Sequence, residues 1–502
     1  MTTPRSLPIL PQYREDAVTR MLCAHTHLDE DFAQEVLDEY TGDRLKAIGL
    51  PLGINLVALV RHARAAQRRR RFRDALLAVL LLVIVASLIA ALVALVDDAT
   101  TVAGFLAANA VLMVVFAGIE IHSNGHSAWR AAREAFRGQG KPQDLAPPVE
   151  AETEDRLKTL RQANVVAYDA GVESDHPFIG SGELFTEVVW PSVDVSRPAD
   201  DSSGGKLTIK PFDAVDLHTY MARELGGIAG LERLRARNRL YVRGLHVGHL
   251  GAEMLPDPLR RPAARIDKQL VQSGVLREGG GMRTYLSLEM VGSGGKLVVS
   301  MHLRARLVLG RLSWQVAACV LPPVQARFEY VSYLPLGGFE EWWKLVRHTV
   351  ASLRWMLLGA PGRIARRRAH YSQGTRDLRK IRREITKHNV AYDYGALDSL
   401  RERAAVDTDA MDYDDRMDAL DVLQRLQQGV LVATEKFLKD HNVDTSDFDR
   451  AQKVINNQTF NIGSVSGGQH QWGANNTQNN SNNNGPGGGG APPTPPGGGK
   501  TT

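Results

Sequence analysis

Residues 75–96 read ALLAVLLLVIVASLIAALVALV, and residues 102–119 read VAGFLAANAVLMVVFAGI. The first run is 22 residues without a charge and the second is 18. Between them lies only Asp97-Asp98-Ala99-Thr100-Thr101. An α-helix rises about 1.5 Å per residue, so roughly 20 apolar residues cross a hydrocarbon core. The two runs therefore predict a transmembrane helical hairpin over 75–119. The flanks set its orientation. Seven arginines fall between Arg61 and Arg73, and Arg130, Arg133, Arg137 and Lys141 follow the second run. Lys/Arg-rich flanks stay cytoplasmic, so both termini are expected in the cytoplasm of a bacterial inner membrane, with a small acidic loop outside. A signal peptide does not fit a run of this length that begins 74 residues in.

The faces of the spans add detail. Ala86, Ala90 and Ala94 recur at i+4, as do Gly104 and Ala108, and such spacing lets helix backbones approach closely. This is the expected helix-packing surface, within the hairpin or in a homo-oligomer. Asn109 sits mid-span and needs a hydrogen-bond partner. Neither run holds an ionisable side chain, which speaks against a carrier or a proton relay. Arg68, Arg69, Arg70, Arg71 and Arg73 read as a contact for anionic lipid at the membrane interface; nucleic acid is an unlikely partner for them. Residues 341–369 repeat that chemistry. Trp342, Trp343 and Trp355 accompany an amphipathic stripe of Val346, Val350, Leu353 and Leu357, and Arg366, Arg367 and Arg368 follow. The pattern suits an interfacial helix or a core helix of the preceding domain.

The remaining mass is polar. The chain has 502 residues, a net charge of +5 and two cysteines, Cys23 and Cys319, which make no disulfide framework. The expected fold is an α+β membrane protein with a cytoplasmic antiparallel-sheet domain, a C-terminal helical region and a disordered tail. Residues 1–74 read as helical, with Phe32, Val36 and Leu37 on one face, and 120–163 as a helical linker. The soluble α+β domain occupies 164–340. It is read with strands at 165–168, 184–190 and 207–210, a helix from Asp213, and a meander through 285–290, 297–307 and 312–321. In 297–307, Val299, Met301, Leu303, Ala305 and Leu307 alternate with Ser300, His302, Arg304 and Arg306, the signature of a sheet with one buried and one wet face. In the helical region 370–455, Leu423, Leu426, Val430, Ala433 and Phe437 form a stripe suited to a small bundle. The segment 456–502 is a short β-like stretch and an Asn/Gly/Pro-rich tail that cannot bury apolar surface.

Catalytic signatures are absent from the sequence: no phosphate-binding loop, no zinc-protease helix, no paired Cys-x-x-Cys. His25 and His27 stand two apart and face different sides of a helix. His218, His246, His249 and His302 lie in the soluble domain without a motif. No catalytic, cofactor-binding or metal residue is assigned, and no cofactor is expected.

Several segments carry a resemblance: Tyr168-Asp169, His176-Pro177-Phe178-Ile179-Gly180-Ser181-Gly182, Leu321-Pro322-Pro323, Asp393-Tyr394-Gly395-Ala396 with Ser399-Leu400-Arg401-Glu402, and Asn442-Val443-Asp444-Thr445-Ser446-Asp447. With Ile462-Gly463-Ser464-Val465-Ser466-Gly467-Gly468 they resemble a group of actinobacterial two-span membrane proteins with a large cytoplasmic part. The resemblance implies an inner-membrane location and names no activity. The leading expectation is a non-enzymatic membrane-anchored binding or scaffold protein, with the lipid bilayer and a protein of unknown identity as partners. The alternatives are an oligomerising membrane effector or pore former, and a membrane-bound enzyme using 164–335.

Overall fold

The computed structural model describes residues 14–456 except 43, 170, 172–175, 202–203, 278–280, 293–294, 336 and 389–390. The expected β-like and Asn/Gly/Pro-rich tail from 457 onward lies outside the described residues.

Helices α1 (Ala17–Leu28) and α2 (Glu30–Tyr40) form where the apolar spacing predicts, and Phe32, Val36 and Leu37 are buried. Asp29 caps α2 by accepting from the Asp31 and Phe32 amides, two of the orphan donors of a helix start. Helix α3 (Leu56–Val96) is one uninterrupted helix of 41 residues, capped by Asn55. Helix α4 (Thr100–Arg137) returns beside it over 38 residues. Both are long and apolar enough to cross a membrane. Leu77 and Ile84 of α3 meet Ala110, Ala117 and Ile121 of α4. Asn109 finds its partner inside the hairpin, donating to Ser87 Oγ at 2.9 Å. The outward faces between residues 75 and 119 expose sixteen large apolar side chains, Leu82, Leu92 and Phe105 among them.

After α5 (Ala151–Arg161) comes a seven-stranded sheet. Its strands are β1 (Val165–Tyr168), β2 (Glu183–Val189), β3 (Val193–Asp194), β4 (Arg235–Arg243), β5 (Met282–Gly292), β6 (Leu297–Val308) and β7 (Arg311–Leu321). The order is β1-β4-β5-β6-β7-β2, with β3 also on β7. The meander β5–β6–β7 is as expected. Leu309 (φ 49°) and Gly310 (φ 73°) close β6 onto β7 in the left-handed conformation that tight hairpins demand. Two expectations are corrected. The sheet is mixed rather than antiparallel throughout, because β1 pairs parallel to β4. Residues 207–210 form no ladder and pass as an extended connection to helix α6 (Ala214–Glu224), whose start carries a capping box of Asp213 and Asp216.

Strand β6 departs from its one-wet-face reading: Ser300, His302 and Arg304 are buried along with the apolar set. One face is covered by α6 and by α12 (Tyr413–Asp440), the other by Leu50, Leu52, Phe178 and Ile179. The stripe Leu423, Leu426, Val430, Ala433 and Phe437 thus packs on the sheet and not in a helical bundle. Between β4 and β5 lies helix α7 (Lys268–Leu276). Beyond β7, helix α8 (Ala326–Glu329) packs against α1 and α2 through Phe328, and α11 (Leu400–Arg403) joins them through Leu400. The last helix, α13 (Ser446–Asn456), closes the expected helical region and takes only Asn456 from the β-like segment expected after it.

Helices α9 (Phe339–Leu358) and α10 (Ala360–His388) make a second hairpin against the first. Glu341 of α9 pairs with Arg133 of α4, and Leu357 and Ala360 reach the cluster of Leu77 and Ile121. On α10, Arg363 and Arg367 return to Asp74 at the entrance of the first apolar run.

Candidate functional site

Strand β4 opens with Arg235-Ala236-Arg237-Asn238-Arg239. Successive strand side chains point to opposite faces, so the three arginines share one face. That face borders a cavity of about 950 Å³. Its opposite side is built from the chain leading into α3 (Leu50–Asn55) and the turn leaving α4 (Lys141–Gln143). Arg161 closes α5 at its rim, and Arg233 and Arg425 stand at the sheet side. The lining holds seven cationic side chains and three carboxylates, and no aromatic ring among the described residues.

Some of this charge is internally balanced. The Arg239 guanidinium is buried and paired with Glu289, and it also donates to the Ala163 carbonyl at 3.2 Å. Burial disfavours its charge, but Glu289 and, after it, Tyr241 together outweigh burial and raise its pKa. Arg233 pairs with Glu15 at 2.7 Å, Asp16 with Arg20 at 2.9 Å and Arg425 with Asp421 at 2.6 Å. For Lys141, Arg161, Arg235 and Arg237 no carboxylate partner lies within ion-pair distance among the described residues. Arg237 donates to the Arg161 carbonyl at 3.2 Å. Its pKa is lowered, first by burial and then by the neighbouring charge of Arg239, with smaller contributions from Arg235 and Arg161, while the Glu289 carboxylate opposes the shift. Lys141, Arg161 and Arg235 are exposed at the rim and Arg237 is half-buried, so water screens much of their mutual repulsion, and an anion placed among them relieves what remains, most of all at Arg237. The sequence reading missed this site. Its signal was legible as arginine at every second position from 233 to 239.

The residues singled out for the membrane interface divide. Arg68, Arg71, Arg366 and Arg368 are exposed. Arg69 approaches the His27 carbonyl at 3.4 Å. Arg73 and Arg367 turn inward to Asp74 and Glu30, and Arg70 is buried. Trp342, Trp343 and Trp355 are exposed on α9. Ala86 and Ala90 face outward from the hairpin, as do Gly104 and Ala108, while Ala94 is partly covered. The face that joins the two helices instead uses Ala103, Ala110 and Ala117, seven residues apart.

The soluble-domain histidines are not gathered in the cleft. His302 is fully buried, stacked on Phe178 at 4.1 Å and hydrogen-bonded to Ser181 and Ser287. His218 is fully buried beneath Trp314. His246 and His249 lie on the 244–250 turn with ring centroids 6.3 Å apart. His27 is bonded to His62 at 3.0 Å. Among the described residues, no group of three or more His, Cys, Asp or Glu side chains is placed to hold a metal ion.

Four of the segments that carry the resemblance, 168–169, 176–182, 321–323 and 393–402, meet in space; 442–447 instead bonds residues 194–200, and 462–468 lies outside the described residues. The Glu402 carboxylate accepts from the amides of Gly180 and Gly182, at 2.6 and 3.0 Å, and from Ser399 at 2.9 Å. Arg401 donates to the Pro322 carbonyl at 2.5 Å. Ala396 bridges Tyr168 in parallel, extending the sheet edge. These contacts seam the sheet to α11 and explain the spacing of the motifs without giving them chemistry.

A family model described as the AbeC-like domain matches residues 189–468, more than half of the chain, so the chain belongs to the AbeC-like domain family. The match takes in β4, β5 and α12, hence the sheet side of the cleft, but not its Leu50–Asn55, Lys141–Gln143 or Arg161 side. No curated protein and no solved structure matches the chain.

Proposed function

We propose that this member of the AbeC-like domain family is a membrane-anchored binding protein whose soluble part holds an anionic ligand in the arginine cleft. The observation that carries the reading is the grouping of Lys141, Arg161, Arg235 and Arg237 around one cavity with no carboxylate within ion-pair distance among the described residues. The anchor is supported by the exposed apolar faces of α3 and α4. Sixteen large side chains facing water, at about 1.5–3 kcal/mol each, amount to roughly 25–50 kcal/mol, more than a domain's whole stability. A bilayer removes that cost. Both soluble sides of the hairpin pack together, Val18 and Leu56 in one core with Phe328 and Leu400. With the arginine-rich flanks, this favours a cytoplasmic position for both termini in a bacterial inner membrane. Exposed Arg68, Arg71, Arg366 and Arg368, with Trp342, Trp343 and Trp355, suit an anionic inner leaflet.

The binding reading is tested on the full chain in lipid nanodiscs by thermal unfolding against a panel of anions. Stabilisation of the native chain that disappears in Arg235→Gln/Arg237→Gln supports it; no anion-dependent shift refutes it. Topology is tested by cysteine labelling. Cys23 and Cys319 are both buried and unsuited, so the reporters are Ser372→Cys, expected to be protected in intact cells, and Asp97→Cys, expected to react.

One observation favours a second reading, an oligomerising membrane effector: the small-residue faces of Ala86 and Ala90 and of Gly104 and Ala108 point away from the hairpin partner. Disulfide trapping of Ala90→Cys between copies supports it, and its absence at high membrane density removes it.

A further inference from the structure

We infer that the arginine cleft is a site for a soluble polyphosphate of nucleotide size, a nucleoside triphosphate fitting best, and not for a lipid headgroup. The inference rests on the anion-binding reading above and narrows it to a ligand class. Charge sets the first bound. Four cationic groups around the cavity have no carboxylate within ion-pair distance among the described residues, and a ligand carrying about four negative charges balances them. Placement sets the second. Arg235 and Arg237 come from the sheet, whereas Lys141 and Arg161 come from the segments that follow α4, so cations from separate parts of the chain line one cavity, with Arg237 bonded to the Arg161 carbonyl at 3.2 Å. An anion with several phosphate groups can engage cations from both segments at once. Alternate residues on a strand are about 6.6–6.8 Å apart, so the two strand guanidinia address separate groups along an extended anion. Arginine suits phosphate because its planar fork donates in pairs.

Size and wall chemistry agree. The cavity, about 950 Å³, is at the upper end of the range of about 300–1,000 Å³ for small-molecule sites. Beyond the cations it offers Leu50, Leu52, Met290, Val298 and Val422, an apolar shelf for an organic body attached to the phosphates. With no aromatic ring among the described lining residues, guanidinium planes are the surface on which a base stacks.

Distance separates the two sources of phosphate. Asn55 caps α3 at the cleft, and the apolar run begins at Ala75 on the same unbroken helix. At about 1.5 Å per residue the cleft stands roughly 30 Å from the entrance of the span. Lys141 follows α4, whose polar extension beyond Ile119 covers roughly 27 Å. The field of anionic lipid decays over a Debye length of about 8–10 Å. A headgroup does not reach this cleft, and a diffusible anion does.

The test is calorimetric titration of the full chain in nanodiscs with ATP, GTP, inorganic tripolyphosphate, inorganic phosphate and citrate, in neutral and in anionic lipid. The triphosphates are expected to bind at least about tenfold more tightly than phosphate or citrate and to weaken steeply with salt. Arg235→Gln/Arg237→Gln and, separately, Lys141→Gln are expected to weaken them at least about tenfold. Arg260→Gln, far exposed and outside the cleft, leaves them unchanged. If citrate or phosphate binds as tightly as the triphosphates through the same arginines, the ligand class is overturned and the anion-binding reading stands. If anionic lipid competes with the triphosphates in a manner lost in Arg235→Gln/Arg237→Gln, the soluble source is overturned. If no probe binds, or binding ignores both variants, the inference and the reading beneath it both fall.

Discussion

Asp74 stands at the entrance of the first span with its side chain fully buried, surrounded by Arg73, Arg363 and Arg367. Arg363 donates to Oδ1 from both Nε and Nη2, at 3.1 and 3.0 Å, and Arg367 reaches Oδ2 while also bonding Glu30. This cluster fastens α10 to α3. Replacing Asp74 with Asn keeps the volume and removes the charge, leaving three guanidinia with only Glu30 among them. Breaking a buried ion pair from one side costs about 3–5 kcal/mol. The partner arginines retain some access to water, so the lower end, about 3 kcal/mol, is the expected value. Because 1.36 kcal/mol is a factor of ten, local opening of α10 from α3 should rise roughly a hundredfold. Hydrogen exchange of α10 amides in nanodiscs reads this directly, and tryptic cleavage after the α10 arginines gives a second measure. Asp74→Leu combined with Arg363→Leu and Arg367→Leu should recover most of the loss, because an apolar replacement removes the stranded charges. Unchanged α10 exchange in Asp74→Asn would refute the argument that this cluster holds the second hairpin in place.

The remaining predictions concern the soluble core and the spans. His218 Nε2 accepts from the Ala305 amide at 3.0 Å, and Nδ1 faces Asn238 Oδ1 at 3.1 Å, which selects the neutral ring. Burial, the largest cause, holds its pKa at about 4. The unfolded state therefore takes up a proton first as pH falls. Stability from this group is complete above pH 6.5 and is lost between 6.5 and about 4, by about 3 kcal/mol. His218→Gln should flatten that slope of stability against pH in chemical denaturation. Gly182 has φ +88°, and a Cβ there would lie 2.2 Å from the Val320 carbonyl oxygen. Gly182→Ala should cost about 2–5 kcal/mol in the same measurement. Gly204→Ala, at φ +84° in open space, should show only the conformational part, about 1–2 kcal/mol. Asn109→Ala removes the Ser87 contact and should loosen the hairpin by about 0.6 kcal/mol, read by steric trapping in bilayers.

Local periodicity made part of this protein legible. The uncharged runs gave long helices, the alternation in 297–307 gave a strand, and the helix expected from Asp213 starts there with a capping box. Each of these is set by neighbours a few residues away. The errors share a cause: they required knowing what covers a surface. Polar alternation in β6 implied water, yet α12 and the Phe178 segment cover its two faces; buried His302 is satisfied there by Ser181 and Ser287, and Arg304 by Gln315. The stripe on α12 was read as a bundle seam because an apolar stripe does not encode whether its partner is a helix or a sheet. The cleft was invisible for the same reason. Its period-two arginines lie in the sequence, but an arginine in water and an arginine lining one cavity with Lys141 and Arg161 look alike there. The sequence by itself determined the helical hairpin, its basic flanks and the central meander, because covalent spacing alone sets those periods. Only the tertiary structure brought residues 141, 161, 235 and 237 together, because it pairs β4 between β1 and β5 and seats the ends of α3 and α4 against that strand.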